Sequence, residues 1–472
     1  MLADAPSAGI PLPDRLTYAD VGPARWPTRD WWRGFGSPEL DGLMEAAAGN
    51  NFDIAVAIAQ VRQADAQARI TGAALLPTVN LTGSATRSQS ASSGGSSTST
   101  TGAGTTTGVG GVGTTTGTTT STVISGGGGG NRQSSIFRAS LAASYEIDFW
   151  GKNTAALAAA ERTRAANQFN VGAVMLTTQA TVANTYFELI AAQARLAIAE
   201  SNLRDATRIL EVIRLRVSVG TATGLDLAQQ ETTVAQLRAN VPPLRQTVEQ
   251  DGNTLATLIG RTPESLTVRG GGFERIVVPP VNAGLPAELI VRRPDVWQAE
   301  AQLASAQASV ANARAQMLPS VQLTATGGVQ SLLLGTLLRP ESQLFTLAAA
   351  LTQPLIDGGK LRAQVDLARA QVEQYLASYR YAIVNALTDS ENALVALRRT
   401  TEQEELQAQA VRQAERAFAI AEAQLRAGTI DLVSLLTAQQ SLYTARNTLA
   451  QVRLLRLQAA VGLFRALGGG WS

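Results

Sequence analysis

The stretch GKNTAALAAAERTRAANQFNVGAVMLTTQATVANTYFELIAAQARLAIAESNLRDATRILEVIRLRVSV, Gly151 to Val219, contains no proline and only Gly172 as an interior glycine. It is dense in Ala, Leu, Glu, Arg and Gln, side chains that lose little rotamer freedom in a helix. Read as one helix over 151–219, it would be roughly 100 Å long at 1.5 Å per residue, against a mean helix of about 11 or 12 residues. No compact globular core can use such a rod. A second stretch, 359–427, has no glycine or proline after its first residue. Both rods end in a Gly-Thr pair, Gly220-Thr221 and Gly428-Thr429. The chain reads as one unit written twice.

Working outward, residues 1–37 are rich in Pro and Trp without a helical or strand period, and are expected to be an extended segment. The first repeat then covers 38–260. Ser37-Pro38-Glu39-Leu40 is a helix start, with Ser as N-cap, Pro in the first turn and Glu at the positive end of the dipole. One helix of about 35 residues to near Gly72 is expected from it. From Pro77 the period changes to two. Val79, Leu81, Gly83 and Ala85 alternate with Thr and Asn, a strand over about 77–87, and a second strand of the same kind covers about 135–149. Between them, 88–134 is almost wholly Gly, Ser and Thr, a composition that cannot fold by itself and reads as a long disordered loop. The rod 151–219 follows, then a turn to Gly224 and a helix over 225–259 interrupted at Pro242-Pro243. After a Pro/Gly-rich linker, 261–286, the second repeat at 287–472 restates the order. It has a helix opened by Arg293-Pro294-Asp295, strands at about 319–330 and 344–353, the rod 359–427 and a last helix over 432–466.

Composition narrows the chemistry. Charged residues are 16% of the 472, below the roughly 25% of ordinary globular chains, which suits helices packed on two sides. A net charge of +2 with interspersed Arg and Glu argues against nucleic acid as a partner. There is no Cys and no His, so disulfides, thiolate nucleophiles, His bases and the usual zinc sites have no raw material, and neither a cofactor nor a metal is expected. Glu402, Glu404 and Glu405 read as surface charges rather than an acid/base pair, and no catalytic residue is assigned. No apolar run reaches the 18 or so residues of a membrane-spanning helix. Met1-Leu-Ala-Asp-Ala-Pro6 lacks the regions of a signal peptide. Either the chain is cytosolic or a leader lies outside this sequence, and the strands favour the second.

Four strands of about ten residues, apolar on one face and polar on the other, have the length and alternation of strands that cross an outer membrane. Phe137, Leu141, Tyr145, Ile147, Leu323, Phe345, Leu347 and Leu351 are the expected lipid-facing set, opposite Arg138, Ser140, Glu146, Gln322 and Thr346. Four strands leave two open edges that lipid cannot satisfy, and about eight are needed to close a barrel, so the chain must oligomerise. Leu361, Val365, Ala368, Val372, Leu376, Tyr379 and Ile383, spaced by three and four, form a packing seam of the coiled-coil type.

These features resemble the outer membrane efflux protein family, the TolC-like outer membrane factors, and most of all its NodT-type branch. The likeness runs from Trp31-Trp32-Arg33-Gly34-Phe35-Gly36-Ser37-Pro38-Glu39-Leu40 to the last helix. It is strongest at Arg292-Arg293-Pro294-Asp295-Val296, Ala299-Glu300, Leu303 and Leu318-Pro319-Ser320. Asp148-Phe149-Trp150-Gly151-Lys152 and Asp357-Gly358-Gly359-Lys360 are similar to the family's paired junctions between strand and long helix. The resemblance implies a mainly α fold with a membrane β-barrel: a homotrimer whose long antiparallel helices form an α-barrel tunnel through the periplasm, below a shared twelve-stranded barrel in the outer membrane. It implies a passive conduit, docked to a periplasmic adaptor (membrane fusion) protein and an inner-membrane pump of the RND type, that exports drugs or other small molecules. NodT-type members usually carry an N-terminal lipidated cysteine, which this sequence lacks, and loop 88–134 exceeds the family's usual first extracellular loop. A trimeric surface stalk or adhesin and a type I protein secretion channel are the alternatives. The duplicated order of helices and strands argues against a stalk, which carries its barrel once.

By the same resemblance the two turns form the periplasmic tip. Val219, Gly220, Thr221 and Gly224 in the first, with Ala427, Gly428 and Thr429 in the second, are expected to dock the adaptor. Family acidic rings near the second turn map onto Ser434 and Thr437, neither of which is acidic. Asp431 is the only nearby carboxylate, and its plainer role is N-cap of the last helix. Asp431, Ser434 and Thr437 are the expected periplasmic gate.

Overall fold

The computed structural model describes residues 9, 13, 15–17, 26–90, 132–270, 272–281 and 286–470. Its contacts divide the chain into a helical unit (Met1–Ala73, Trp150–Met317, Leu355–Ser472) and a strand unit (Ala74–Phe149, Leu318–Pro354).

The helical unit is built on two rods, α3 (Lys152–Ser218) and α8 (Lys360–Ala427), of 67 and 68 residues. The other helices are α1 (Pro38–Asn50), α2 (Phe52–Gly72), α4 (Gly224–Ala239), α5 (Val241–Leu258), α6 (Pro286–Arg292), α7 (Pro294–Ala315) and α9 (Leu432–Ala466). Polar ties show how the columns lie. Along its first half α3 bonds antiparallel to α2 (Arg164 to Asp65, 3.3 Å) and to α7 (Asn312 Nδ2 donating to the Lys152 carbonyl, 2.7 Å). Along its second half it bonds to α4 (Arg214 to Glu231, 3.2 Å), to α5 (Arg245 to Glu200, 2.9 Å) and to α9 (Gln458 to Glu188, 2.7 Å). α8 completes the layer by packing on α7 and α9. The unit is a single layer four columns wide, open at α8 on one side and at α2 and α4–α5 on the other.

The α8 seam is used inside the chain. Val365 and Ala368 pack with Ala313 of α7, and Tyr379 and Ile383 with Val296 and Leu303. Glu404, expected as a surface charge, is a tie between α8 and α9: its carboxylate accepts from Arg453 (3.0 Å) and Arg456 (2.9 Å) and its side chain is 17% exposed.

Two expectations are corrected here. Residues 1–37 are not extended throughout, because Trp31–Phe35 form a 3₁₀ turn whose rings enter the core. Trp31 stacks on Phe464 at 5.0 Å and Phe35 meets Phe187 at 5.1 Å. Burial of three large rings decides the local conformation. The helix expected over 38–72 is two helices. Asn51 ends α1 and caps α2, its Oδ1 accepting from the amides of Asp53 (2.9 Å) and Ile54 (3.1 Å) while its Nδ2 donates to the Leu258 carbonyl (2.7 Å).

Arg293, at the head of α7, joins three helices. Its guanidinium makes two bonds to Asp295 (3.0 and 2.6 Å), one to Asp389 of α8 (3.3 Å) and one to the Ala466 carbonyl closing α9 (3.2 Å). Its side chain is 9% exposed, but those of its carboxylate partners are 38% and 36% exposed. Solvent can therefore recover part of what they lose on its removal. Arg293→Ala is expected to lower the stability of the helical unit by about 2 kcal/mol, below the roughly 3 to 5 of a fully buried pair. Chemical denaturation followed by helical circular dichroism measures this, and an unchanged midpoint would contradict it.

The strand unit is one antiparallel sheet in the order β1 (Thr78–Ser90), β2 (Arg132–Ile147), β3 (Ser320–Ser331), β4 (Gln343–Thr352). The loop expected at 88–134 is shorter at both ends. Ser88 pairs with Ser134, Gln89 with Gln133 and Ser90 with Arg132, because a ladder already formed extends through backbone bonds that any side chain allows. Residues 91–131 of that expectation lie outside the described residues.

Candidate functional site

Register decides which side chains share a face of the sheet. Leu81, Leu141, Gly327 and Phe345 form one cross-strand row, Val79, Ala143, Ala325 and Leu347 the next, and Tyr145 with Leu323 and Ile147 with Val321 and Leu351 continue it. Phe137, opposite Ala85 and Ser331, lies on the same face. All eight residues expected to face lipid share this side. It is open: Leu141 is 52% exposed, Phe345 74% and Leu351 70%.

The opposite face carries Thr78, Asn80, Thr82, Ser140, Ser144, Gln322, Thr324, Thr326 and Gln330, with Ile136 and Leu344 as large apolar exceptions beside the small Ala142, Ala348 and Ala350. Hydroxyls pair across it, Thr82 with Ser140 at 3.0 Å and Thr78 with Ser144 at 2.7 Å. A Cβ placed on Gly328 would stand 2.7 Å from that of Ser140. Strand neighbours normally hold these atoms about 4.5 to 5.5 Å apart, so the sheet curls inward on its polar side here. Ser140 is consequently 7% exposed, with no room beside it for a long charged side chain. Among the described residues β1 and β4 each have one unpaired edge.

At one end of the helical unit, Ile209 and Ile213 of α3, Ala421 of α8, and Leu432 and Leu435 of α9 form one apolar cluster, joined by Leu227 of α4. The last turns of the two rods are tied beside it, where Arg216 donates to the Leu425 carbonyl at 2.7 Å. Each turn closes its rod in the same way. Gly220 and Gly428 take left-handed φ of 77° and 74°, where other residues are strained. The next amide reaches five residues back, Thr221 to Arg216 (2.8 Å) and Thr429 to Gln424 (3.0 Å). This is a Schellman closure. Both Thr hydroxyls donate to those same carbonyls at 3.1 Å. The sequels differ. Thr223 and Asp226 form a capping box at α4, while Asp431 caps α9 by accepting from the Ser434 amide at 2.9 Å. Val219, Thr221, Gly224, Ala427 and Thr429 are exposed, as are Asp431, Ser434 and Thr437 on one stripe of α9. Hydrogen bonds from the Ser434 hydroxyl and amide hold the Asp431 carboxyl below its ordinary value. The cap is therefore present above the usual carboxylate range and is lost only as pH falls through that lowered value.

Among the described residues no group of three or more His, Cys, Asp or Glu could hold a metal ion. No described helix is long and apolar enough to cross a membrane. Sequence reasoning missed Arg293 as a junction, although its place in the most family-like segment marked it.

The family model described as "Outer membrane efflux protein" matches residues 43–261 and 285–469. The pyoverdine export outer membrane protein OpmQ of Pseudomonas aeruginosa is 37% identical over 466 residues, covering 98% of this chain and 92% of the relative. Among solved structures, the outer membrane protein VceC of Vibrio cholerae is similar with a TM-score of 0.79 at 25% identity, over 95% of this chain and 100% of that one. The CmeC outer membrane channel of Campylobacter jejuni has a TM-score of 0.85 over 99% and 94% of the two chains; at 21% identity it speaks for the fold alone. The exposed apolar sheet, the long helices and these likenesses agree, and the chain belongs to the outer membrane efflux protein family.

Proposed function

We propose that three copies of this chain assemble into a passive conduit that carries small molecules outward and performs no catalysis of its own. The observation that carries the reading is the sheet with an exposed apolar face, a curled-in polar face and two unpaired edges. Three such sheets closed edge to edge make a barrel of twelve strands with lipid outside and water inside. The helical layer supports the same closure. One open edge exposes Leu367, Tyr381, Leu406 and Ile420 of α8, and the other exposes Phe52, Val56 and Ile70 of α2. Two different apolar edges on one layer pair head to tail, the contact that generates rings. A periplasmic adaptor at the two turns and an inner-membrane pump of the RND type complete the export path in this reading, as the family's architecture implies. The name of OpmQ, pyoverdine export, supports a small-molecule cargo over a protein one.

Single-channel recording of the purified protein in planar bilayers tests the conduit. Discrete ohmic steps from a species of trimer mass are expected. A trimer with no conductance would favour the stalk.

The stripe of Asp431, Ser434 and Thr437 is the proposed gate. Because Asp431 is engaged as a cap and the other two are neutral, trivalent cations added from the periplasmic side should block the native channel weakly. Thr437→Asp would place three carboxylates around the trimer axis and is expected to strengthen block roughly tenfold or more, a change of about 1.4 kcal/mol. Tight block of the native channel that Asp431→Asn leaves unrelieved would put the gate elsewhere.

A further inference from the structure

The polar face of the sheet is nearly neutral, and its charges are separated along the strands. Beyond Arg132, which its pairing with Ser90 puts on the same face at the start of β2, every residue on that face at the described positions from Thr78 to Ser88, Ser134 to Glu146, Gln322 to Gln330 and Leu344 to Ala350 is uncharged except Arg138 and Glu146. The two lie eight residues apart on β2, roughly 26 Å at 3.3 Å per residue. That is about three Debye lengths at physiological salt, so neither screens the other.

Arg138 is fixed in place. It sits opposite Gln330 of β3 and Ser84 of β1, and its Nε and Nη2 both donate to Gln330 Oε1, at 3.1 and 2.6 Å. The partner is a neutral amide, and among the described residues Arg138 makes no ion pair, so its full positive charge remains while its guanidinium is oriented. The nearest charges on the β3–β4 connection, Arg339 and Glu341, are of opposite sign and largely cancel beyond their own spacing.

We propose that Arg138 is a specificity-determining residue of the conduit: three copies form a positive ring in the barrel lumen that makes the pore prefer anions, and its favoured cargo class is small molecules carrying net negative charge. The proposal rests on the trimeric conduit reading. Three unit charges held about one Debye length, roughly 8 Å, from the axis raise the local anion concentration about two- to threefold and depress cations by a similar factor.

The test is the reversal potential of the purified full-length protein in planar bilayers under a potassium chloride gradient. The native channel should reverse on the anion side, Arg138→Lys should stay there, Arg138→Gln should move clearly toward zero, and Arg138→Glu should move further, toward the cation side. All four share the same periplasmic tip, so differences among them report the barrel. The native preference should also fade as salt rises from 0.1 to 1 M, where the Debye length shrinks from about 10 to 3 Å. Channels of normal conductance whose reversal potential is the same in the native, Gln and Glu forms would overturn the proposal and leave the conduit standing. Failure of the native protein to form channels would overturn the conduit itself. Should Arg138→Glu not assemble, the Gln variant and the salt series on the native protein decide the matter.

Discussion

Thr221→Trp combined with Thr429→Trp is expected to reduce efflux to the level of cells lacking the channel while leaving the assembled protein intact. Both side chains are exposed on the turns that end α3 and α8. The turns themselves are held by the amides of these residues and by left-handed Gly220 and Gly428, none of which the substitution removes. What each rod loses is one hydroxyl bond to a carbonyl, at 3.1 Å, worth at most about 1 kcal/mol at an exposed site. Two indole rings on a docking surface, by contrast, occupy the volume that an adaptor must fill. Thr221→Val with Thr429→Val separates the two effects, since it deletes the hydroxyls without adding bulk and should retain most export. Drug accumulation in a strain deleted for its own channel, with native mass spectrometry of the purified variants, reads both quantities. Normal export by the Trp pair would show that the adaptor does not dock on these turns.

The rods were legible because propensity accumulates over 67 and 68 residues without a breaker, and the Gly-Thr pairs announced where each one stops. α9 begins at Leu432 behind its Asp431 cap for the same kind of reason. What the pattern did not show was which face of α3 is inside. Buried positions run Leu176, Thr178, Ala180, Val182, Ala183, Thr185, Tyr186 and Phe187, on two opposite sides of the helix, with Thr177 and Thr181 exposed on a stripe between them. A helix with neighbours on both sides has no single apolar stripe to read. The break at Asn51 had a local signal in Gly49-Asn50-Asn51 followed by Asp53, but helix-favouring residues on both sides outweighed it. Its decisive partner, the Leu258 carbonyl, is 207 residues away.

The sheet divides in the same way. Period two assigned every expected lipid-facing residue to one face, because alternation is a property of the strand alone. Curvature is not. That Ser140 is buried follows from the close approach of Gly328 on the neighbouring strand, a long-range pairing that no window of sequence contains. Arg138 is a similar case: its alternation with Phe137 and Leu141 placed it on the polar side, while its partner Gln330 is known only from the register.

Arg in place of Leu141 tests the sheet assignment at its centre and should cost about 2 to 4 kcal/mol of barrel stability if the residue lies near the bilayer midplane. Leu141 stands in the row Leu81, Leu141, Gly327, Phe345, the middle of the apolar face. An arginine there must either desolvate in hydrocarbon or drag water and headgroups inward. The matched control is Thr346→Arg. Thr346 neighbours Phe345 on β4 but lies on the polar face with Thr326, and it is exposed, so a long cation there can extend into water at little cost. Ser140→Arg is not a fair control, since Gly328 leaves no room beside it, and it should be as damaging as Leu141→Arg for a steric reason rather than an electrostatic one. Lysine distinguishes the causes. Leu141→Lys should remain costly because the charge stays in lipid, whereas Ser140→Ala should be tolerated because it removes only one hydroxyl bond to Thr82. Folding titrations into lipid vesicles in urea give the free energies. Equal cost for Arg at Leu141 and at Thr346 would mean that the apolar face does not meet lipid, and the barrel assignment would fall with it.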